Sequence, residues 1–393
     1  MRAVDLSDDI RRLMTPKLAK DFSGPSPGIF VGSESYPNVN VGPLGLLADV
    51  NDNPADWLNM NYRQIIAIRG SMIRSGRKEN VRSTQKIVDN MQELSVASRP
   101  TDVEMIFQKR PVFSMSFDSH VQPMGPFARL ESLRLQENPH VDLKVEKILG
   151  DEMKAAESAM SLYLANNDVY KITTILSSGV LGFDRKLVPT RWSITATDDI
   201  ITKALLRDVR TYGSINDFLV FESFHLDNHF VILLMPGMWE FEDFECWANP
   251  FAHATLGNQR FPESLESSAF QEKALTERSV NLEVEYEPFT GRTAYAEKEG
   301  GGYYAARIGV VEYLHRIRRQ ARVVVFREIH EGYSIPLGVW QVRENVRNAM
   351  AKQPTRFDTT TSALTHTAKR LRHPLAMYTQ KSRVLSQRRL TDF

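Results

Sequence analysis

The chain has 393 residues, of which 42% are hydrophobic and 25% charged, as is typical of a globular protein with a sizeable core. Its longest purely apolar run, Phe230–Met235, is far too short to cross a bilayer, and Met1–Leu6 contains no hydrophobic signal core. The single cysteine, Cys246, excludes an internal disulfide and a multi-cysteine zinc site. We therefore expect a cytoplasmic protein with no membrane partner.

The net charge of +1 conceals an asymmetry along the chain. Residues 352–393 hold nine Lys and Arg against two acidic residues, a net charge of +7, so the remainder carries −6. A basic tail attracts an acidic partner surface or a phosphate backbone. The acidic remainder needs a local basic patch if it binds DNA.

The first half of the chain is predicted to mix irregular, helical and strand segments. Prolines and glycines at 23–43 favour irregular structure with strand-like pieces, and the phosphate-binding glycine motifs are absent from the sequence. Apolar spacing predicts a short helix Leu6–Lys20, helices over 57–75 and 79–94, a strand over 112–117, a helix over 144–164 broken near Gly150, a helix over 168–177, and a helix from Asp198 to Arg210.

The second half is predicted to begin with a three-stranded meander, formed by Phe218–Phe224, Phe230–Met235 and Trp239–Trp247, with a hairpin turn at Asp227-Asn228. Further along, the patterns predict a strand over 281–286, an amphipathic helix over 303–321, a strand over 323–329 and a helix over 342–352. The polar residues 353–380 are interpreted as a linker. The predicted fold class is α+β: a mixed, largely antiparallel sheet flanked by helices, with a flexible basic C-terminal tail.

The last seven residues contain a Gln-x-x-Leu-x-x-Phe pattern formed by Gln387, Leu390 and Phe393. In a helical turn of about three residues, these side chains lie on one side, where Leu and Phe form an apolar plug beside a hydrogen-bonding Gln. Such a plug fits a pocket on another protein. The pattern resembles the peptide by which proteins dock on PCNA, the sliding clamp of DNA replication and repair. The alternative is a frayed basic tail.

Longer segments of the chain resemble the archaeal Nre family of DNA repair proteins. The segments that carry the resemblance are Phe30–Gly32, Tyr36–Pro43, Gly182–Thr195, Tyr303–Arg307, Arg318–Ala321 and Pro336–Arg347. The resemblance implies an archaeal, nucleoid-associated protein that acts in DNA damage repair and docks on the clamp. A four-cysteine segment expected near the N-terminus of many members is absent from this sequence, so no zinc finger is expected.

With this resemblance, the sequence is divided into four parts. We predict an N-terminal arm (1–22), an N-terminal Nre-like region (23–288), a C-terminal Nre-like region packed on it (289–352), and a basic linker with the clamp-binding tail (353–393).

Two groups of basic residues are candidates for binding nucleic acid. In the first, Arg185, Lys186 and Arg191 would contact phosphates, and Trp192 would stack on an exposed base. The alternative is a loop whose arginines pair with carboxylates and whose Trp192 lies in the core.

The second group lies on two predicted helices and has six members: Arg316, Arg318, Arg319, Arg322, Arg343 and Arg347. If the helices pack side by side, Arg316, Arg319, Arg343 and Arg347 form a stripe that suits a duplex backbone. The alternative is a set of solvated helix faces with local ion pairs.

Three further groups contain side chains that bind metals or catalyse reactions in other proteins. His225, Asp227 and His229 would lie on one side of an extended strand as ligands, or simply form a hairpin turn. Asp118 and His120 follow a predicted strand, a common position for catalytic residues.

The remaining group is the acidic strand, in which Glu240 and Glu242 share one face and Asp243 and Glu245 the other. These carboxylates would bind magnesium for phosphodiester chemistry, or one pair would simply face solvent. A divalent metal is thus the one cofactor that the sequence suggests, and Cys246 is expected to be a buried small hydrophobe.

Together these patterns predict a DNA repair protein that docks on PCNA and recognises or processes DNA. Two hypotheses remain open: a non-catalytic adaptor, and a metal-dependent nuclease or other DNA-processing enzyme that uses carboxylates between residues 118 and 245.

Overall fold

The computed structural model describes residues 17–113, 123–248, 280–333 and 336–386. The chain divides into two compact units, Met1–Ile201 and Thr202–Phe393. Each unit contains a six-stranded, mostly antiparallel sheet that is flanked by helices, and the predicted α+β class is confirmed. The boundary between the units falls inside a helix.

The first unit has the strand order β1-β5-β6-β4-β3-β2. Its strands are β1 (Asp21–Ser26), β2 (Ile29–Val31), β3 (Asn38–Leu46), β4 (Met72–Asn80), β5 (Thr101–Phe107) and β6 (Phe127–Leu135). Its helices are α1 (Tyr62–Gly70), α2 (Lys86–Val96), α3 (Leu143–Gly150), α4 (Ala155–Leu164), α5 (Val169–Ser177) and the start of α6 (Thr190–Val209). The β4–β6 pair is parallel, and the other pairs of this sheet are antiparallel.

The second unit has the strand order β10-β9-β11-β8-β7-β12. Its strands are β7 (Phe218–His225), β8 (Asn228–Met235), β9 (Glu240–Trp247), β10 (Asn281–Glu287), β11 (Arg322–Ile329) and β12 (Thr355–Phe357). Its helices are α7 (Gly301–Ile317), α8 (Trp340–Ala351), α9 (Thr360–Arg370), α10 (Leu375–Thr379) and α11 (Arg383–Ser386). Strands β8, β9 and β11 are buried at every position, because residues on both faces of the sheet are covered by other elements.

The predicted helix over residues 57–75 is wrong at its C-terminal end. Helix α1 starts with an Asn61 capping box and stops at Gly70, and Met72 already belongs to β4. The apolar residues Ile65, Ile66, Met72 and Ile73 fit one helical face by spacing, but the first two belong to the helix and the last two to the strand. A short helix followed directly by a strand can show the same spacing of apolar residues as one longer helix.

The predicted meander is also wrong, although its three strands are confirmed. Strand β11 lies between β8 and β9, antiparallel to the first and parallel to the second. Parallel neighbours require a long crossover, which here runs through β10 and α7. The hairpin between β7 and β8 is confirmed, but its turn is formed by Leu226 and Asp227, which have positive φ angles, one residue before the predicted Asp227-Asn228.

Helix α6 starts at Thr190, eight residues before the predicted start at Asp198. Pro189 directly precedes it, and its carbonyl accepts hydrogen bonds from the amides of Trp192 and Ser193. The buried Asp198 therefore lies within the helix and is not its cap. By contrast, the predicted break near Gly150 is confirmed, because α3 ends there and α4 begins at Ala155.

The interpretation of residues 353–380 as a linker is wrong. This segment and the residues that follow it to Ser386 form β12 and helices α9 to α11. The strand adds to the sheet edge beside β7. The helices cover one face of the sheet, where Ala363, Tyr378 and Val384 join a core with Phe244 and Phe326. The segment has few apolar residues, and most of them pack against the sheet.

Candidate nucleic-acid interface

The basic and aromatic segment around residue 190 is held on the first unit by backbone contacts on both sides. The Leu187 amide donates to the Val81 carbonyl (2.8 Å), and the Val188 amide donates to Ser177 (3.0 Å). At the start of α6, the Thr190 hydroxyl accepts a hydrogen bond from the Val31 amide (3.0 Å). These contacts attach residues 187–190 to the rest of the first unit.

Aromatic side chains in and beside this segment are exposed rather than buried. Trp192 is 47% exposed and packs against Tyr36, which is 46% exposed, with their ring centroids 5.0 Å apart. Phe183 is 66% exposed. The alternative that places Trp192 in the core is therefore wrong.

Two basic residues lie between Phe183 and Trp192 in the sequence. Arg185 is exposed and has a positive φ of 40°, and Lys186 lies 3.7 Å from the exposed carboxylate of Asp184. We use the name aromatic-basic surface for five exposed or half-buried residues, which are the contacting pair Tyr36 and Trp192 with Phe183, Arg185 and Lys186 from the same stretch of sequence as Trp192. An ion pair between exposed groups is weak, so Lys186 can exchange its carboxylate for a phosphate at little cost. The remaining one of the four predicted residues, Arg191, is half-buried and engaged within the protein.

The second group of arginines does not form the predicted stripe. Helices α7 and α8 do pack on each other, but Arg343 is only 2% exposed. Arg347 donates to both carboxylate oxygens of Glu312 (2.6 and 2.8 Å) and to Glu344 (2.9 Å). The prediction that Arg343 lies at the surface is therefore wrong, and the charge of Arg347 is balanced by the two carboxylates.

Only the end of α7 keeps exposed arginines from this group, namely Arg316, Arg318 and Arg319. Arg316 donates to the Met350 carbonyl (3.3 Å) and lies over the ring of Tyr313. Arg316 and Arg319 therefore stay candidates for phosphate contacts, and Arg343 does not.

The acidic strand β9 is enclosed, so the alternative of a solvent-facing acidic pair is wrong. Glu240 accepts a hydrogen bond from Arg322 (3.1 Å), and Glu242 accepts one from the Arg383 amide (2.7 Å). Glu240, the most exposed of the four acids, is 8% exposed. A DNA backbone cannot reach carboxylates at this depth, so the strand does not present the predicted magnesium site to a substrate.

The second face of β9 carries acids in excess of their cations. Glu245 pairs with Arg327, whereas Asp243 lies beside the buried Glu299. Burial, followed by the charge of Glu245, raises the pKa of Asp243 to about 8. Burial and the charge of Asp243 also raise the pKa of Glu299 well above its ordinary value. A protonated carboxyl is neutral, so Asp243 and Glu299 avoid the cost of burying a charge by holding protons.

The histidine motif at the β7–β8 hairpin is divided between different partners. His225 is the last residue of β7, and burial lowers its pKa. His229 instead faces Glu222 and Glu328, at 2.9 and 3.6 Å from its two ring nitrogens. Burial opposes protonation of His229, but the hydrogen bonds to Glu328 and Glu222 outweigh it and raise the pKa. The turn formed by Leu226 and Asp227 accounts for the hairpin, so His225, Asp227 and His229 do not form the predicted ligand set.

Two side chains that the sequence analysis did not consider, Glu328 and His330, complete the surroundings of His229. The sequence could have indicated this pair, because Glu328 lies on the predicted strand 323–329 and His330 follows two residues later. Residues i and i+2 of an extended strand share one face. Burial favours the neutral form of Glu328, but hydrogen bonds from His229, from two backbone amides and from Tyr378 lower its pKa to about 2. Glu328 is therefore a buried carboxylate that stays ionised.

Several predicted sites lie outside the described residues. Asp118 and His120 belong to 114–122, and the clamp-binding residues Gln387, Leu390 and Phe393 belong to 387–393. Cys246 is described, and it is 1% exposed, as predicted for a small buried hydrophobe. Burial raises the pKa of its thiol to about 11. Across the described part of the chain, none of the helices has both the length and the apolarity that a membrane span requires.

Comparison with known proteins gives matches over most of the chain. The family described as "Archaeal Nre, N-terminal" matches residues 4–252, and "Archaeal Nre, C-terminal" matches residues 287–393. "DNA repair protein NreA" of Archaeoglobus fulgidus is 37% identical over 377 residues, which cover 93% of this chain and 89% of the relative.

Two further relatives agree. "DNA repair protein NreB" of the same organism is 34% identical over 383 residues, covering 95% of this chain and 92% of the relative. "DNA repair protein NreA" of Haloferax volcanii is 36% identical over 344 residues, covering 84% and 77%. No solved structure matches the chain significantly.

Proposed function

The chain belongs to the archaeal Nre family, and from that premise we propose that it acts in DNA repair, binds DNA through the aromatic-basic surface of its first unit, and docks on the PCNA sliding clamp through Gln387, Leu390 and Phe393. The repair role is supported by the names of the relatives. The observation that carries the DNA-binding part is the exposed pair of rings formed by Tyr36 and Trp192, with basic side chains in the same segment.

Exposed aromatic rings of this size are unusual on a surface that has no partner, because burying them is favourable. Each ring offers a face on which an unpaired base can stack, and stacking contributes about 1–3 kcal/mol per base. Arg185 and Lys186 supply positive charge for the adjacent phosphates. The surface therefore suits single-stranded or distorted DNA better than an intact duplex, whose bases are already stacked.

The clamp-docking part of the proposal is supported by the spacing of the three residues and by the family match that extends through them. The preceding residues are anchored: Ser382 donates its hydroxyl hydrogen to Glu242, and the Arg383 amide donates to the same carboxylate (2.7 Å). Because the folded segment extends to Ser386, the tether expected from residues 353–380 does not exist. On this proposal the second unit is held close to the clamp.

DNA binding is tested with full-length protein and labelled single-stranded, forked, gapped and duplex DNA. Trp192→Ala and Tyr36→Ala should each weaken binding of unpaired DNA by about 5- to 150-fold, which is 1–3 kcal/mol. Tyr295→Ala is the matched control, because Tyr295 is 50% exposed and stacks on Tyr304 in the second unit. Equal affinities for all three variants and the parent protein would refute the assignment of this surface.

The contribution of charge is separated by titrating salt. For single strands the slope of log affinity against log salt should become shallower by about 0.7 for each of Arg185→Ala and Lys186→Ala. The same substrates incubated with Mg²⁺, Mn²⁺ and Zn²⁺ decide between the two open hypotheses. Product formation favours the DNA-processing enzyme, and binding without turnover favours the adaptor.

Clamp docking is tested by truncating the chain after Ser386 and by the single changes Leu390→Ala and Phe393→Ala. All three should lose most of the affinity for PCNA, because the apolar plug is removed. Thr391→Ala, between the two apolar residues, is the matched control and should bind like the parent. Retention of full affinity by the truncated chain would exclude the proposed peptide.

A further inference from the structure

Three side chains meet at one end of the sheet in the second unit, on the face that helices α9 to α11 cover. Glu328 on β11 is directly opposite His229 on β8. His330 follows two residues after Glu328 and thus lies on the same face. One ring nitrogen of each histidine and one carboxylate oxygen of Glu328 lie within 4.8 Å of one another. We call these three residues the His229 cluster.

The spacing in the cluster is close to that of a metal site. Two ligands about 2.1 Å from a tetrahedral zinc ion lie roughly 3.4 Å apart. His229 Nδ1 and Glu328 Oε2 are 3.6 Å apart, so these two need almost no movement. His229 is 8% and Glu328 1% exposed, whereas His330 is half-buried. The third donor, on His330, lies within 4.8 Å of the other two, so it must approach each of them by at most about 1.4 Å to reach the spacing of a tetrahedral site.

Each ligand of a metal site is normally oriented by an outer partner, and two of these three residues already have one. His229 Nε2 lies 2.9 Å from Glu222 and Nδ1 lies 3.6 Å from Glu328, so a metal ion bound at Nδ1 would displace the proton shared with Glu328 and leave the Nε2 hydrogen donated to Glu222. Glu328 accepts hydrogen bonds from the amides of Arg372 (2.7 Å) and His373 (2.9 Å). The carboxylate–histidine arrangement is that of zinc proteins.

The third residue, His330, has a buried ring nitrogen without a partner in the described part of the chain, and this is a separate observation that points to a ligand. His330 Nε2 is buried and has no hydrogen-bond partner among the described residues. A buried ring nitrogen without a partner is costly unless something binds there. Arg372, whose charge acts on His330, forms a two-fold pair with Glu331 (2.6 and 2.7 Å), so part of its charge is neutralised.

We propose that His229, Glu328 and His330 bind one divalent transition-metal ion of the zinc class. Two imidazole nitrogens and one carboxylate oxygen suit zinc, iron(II) or manganese(II), and do not suit magnesium or calcium, which prefer oxygen ligands. Three protein ligands leave a coordination position for water, as in catalytic rather than structural sites. This inference does not depend on the DNA-binding surface, which lies in the other unit.

The site is tested on full-length protein stripped with a chelator and then equilibrated with Zn²⁺. Elemental analysis after gel filtration should give one zinc per chain, and Co²⁺ should produce the visible absorption of a four- or five-coordinate site. His229→Ala and His330→Ala should weaken zinc binding by more than the roughly 10–100-fold expected for loss of an outer partner. Glu222→Gln should fall within that range.

His315→Ala is the matched control, since His315 also lies beside a carboxylate of the second unit, Asp208 (3.3 Å), but outside the cluster. It should bind zinc like the parent. Far-ultraviolet circular dichroism identifies any variant that fails to fold, and the milder His330→Gln then replaces His330→Ala. The proposal is overturned if the parent binds less than a stoichiometric amount of zinc, or if loss of either histidine leaves the affinity unchanged.

Discussion

The packing of the C-terminal segment gives a sharp prediction at Tyr378. Its ring packs edge-on against Phe244 and Phe326, with centroids 5.4 and 5.1 Å apart, and its hydroxyl donates to Glu328 (2.8 Å). Tyr378→Phe removes the hydroxyl that donates to a charged acceptor and should lower the free energy of unfolding by about 1.5–3 kcal/mol. Tyr378→Ala also leaves a cavity in the core, and should cost about 3–5 kcal/mol for the ring alone.

The free energy of unfolding is measured in urea at constant pH, and hydrogen exchange of the amides at 371–386 reports the segment itself. Tyr295→Phe provides a matched control at an exposed ring and should cost less than about 0.5 kcal/mol. If Tyr378→Ala costs no more than that control, or if the amides of Arg372 and His373 exchange without protection, residues 355–386 do not pack on the sheet.

Two other predictions concern the buried acid and a close backbone approach. Burial, followed by a neighbouring carboxylate, raises the pKa of Asp243 from 3.8 to about 8. Between these two pH values the folded chain holds a proton that the unfolded chain releases. The free energy of unfolding therefore falls as pH rises from about 4 to about 8. Asp243→Asn should therefore gain stability relative to the parent between pH 5 and pH 8.5, by at most about 1.4 kcal/mol per pH unit; urea midpoints that keep a constant difference would contradict this. At Gly42, an added Cβ would lie 2.5 Å from the Ser75 carbonyl oxygen, whereas one at Gly213 meets nothing within 4 Å. Gly42→Ala should lower the free energy of unfolding by about 1–3 kcal/mol, and the melting temperature with it. If its melting temperature falls no further than that of Gly213→Ala, the close packing of β3 on β4 is wrong.

The sequence predicted best those elements whose pattern is local. Helix α7 was recognised because its apolar residues recur on one face, and β8 because it is an unbroken apolar run. The order of strands was not available, since the neighbours of β11 are set by contacts between residues roughly a hundred positions apart in sequence. The crossover that places β11 beside β9 leaves no local signal.

The C-terminal segment shows a second limit of local patterns. Ala363, Leu371, Tyr378 and Val384 lie in or next to three separate short helices, and their spacing fits no single helix. Each is buried because a different part of the sheet receives it. Sequence periodicity detects an element that presents a continuous apolar stripe, and it misses a segment that is attached at separate points.

The candidate sites divide in the same way. Trp192 could be recognised from composition, but whether its ring was buried depended on Pro189 starting α6 and on Tyr36 lying beside it. His229 was noticed with its sequence neighbours, whereas the partner that matters, Glu328, is 99 residues away in sequence. Residue types indicate which chemistry is possible, and the pairing of strands decides which of these residues lie next to each other.

The anchored position of Ser386 changes what clamp docking would achieve. A flexible linker over residues 353–380 would let the body sample a large volume, with an effective concentration that falls with linker length. Instead, the chain from Arg383 is fixed to β9 through Glu242, and seven further residues can extend at most about 25 Å. If Gln387, Leu390 and Phe393 occupy the clamp pocket, the second unit must lie against or very near the clamp itself. Docking would then orient the second unit, including the His229 cluster, with respect to the clamp and the DNA that it encircles.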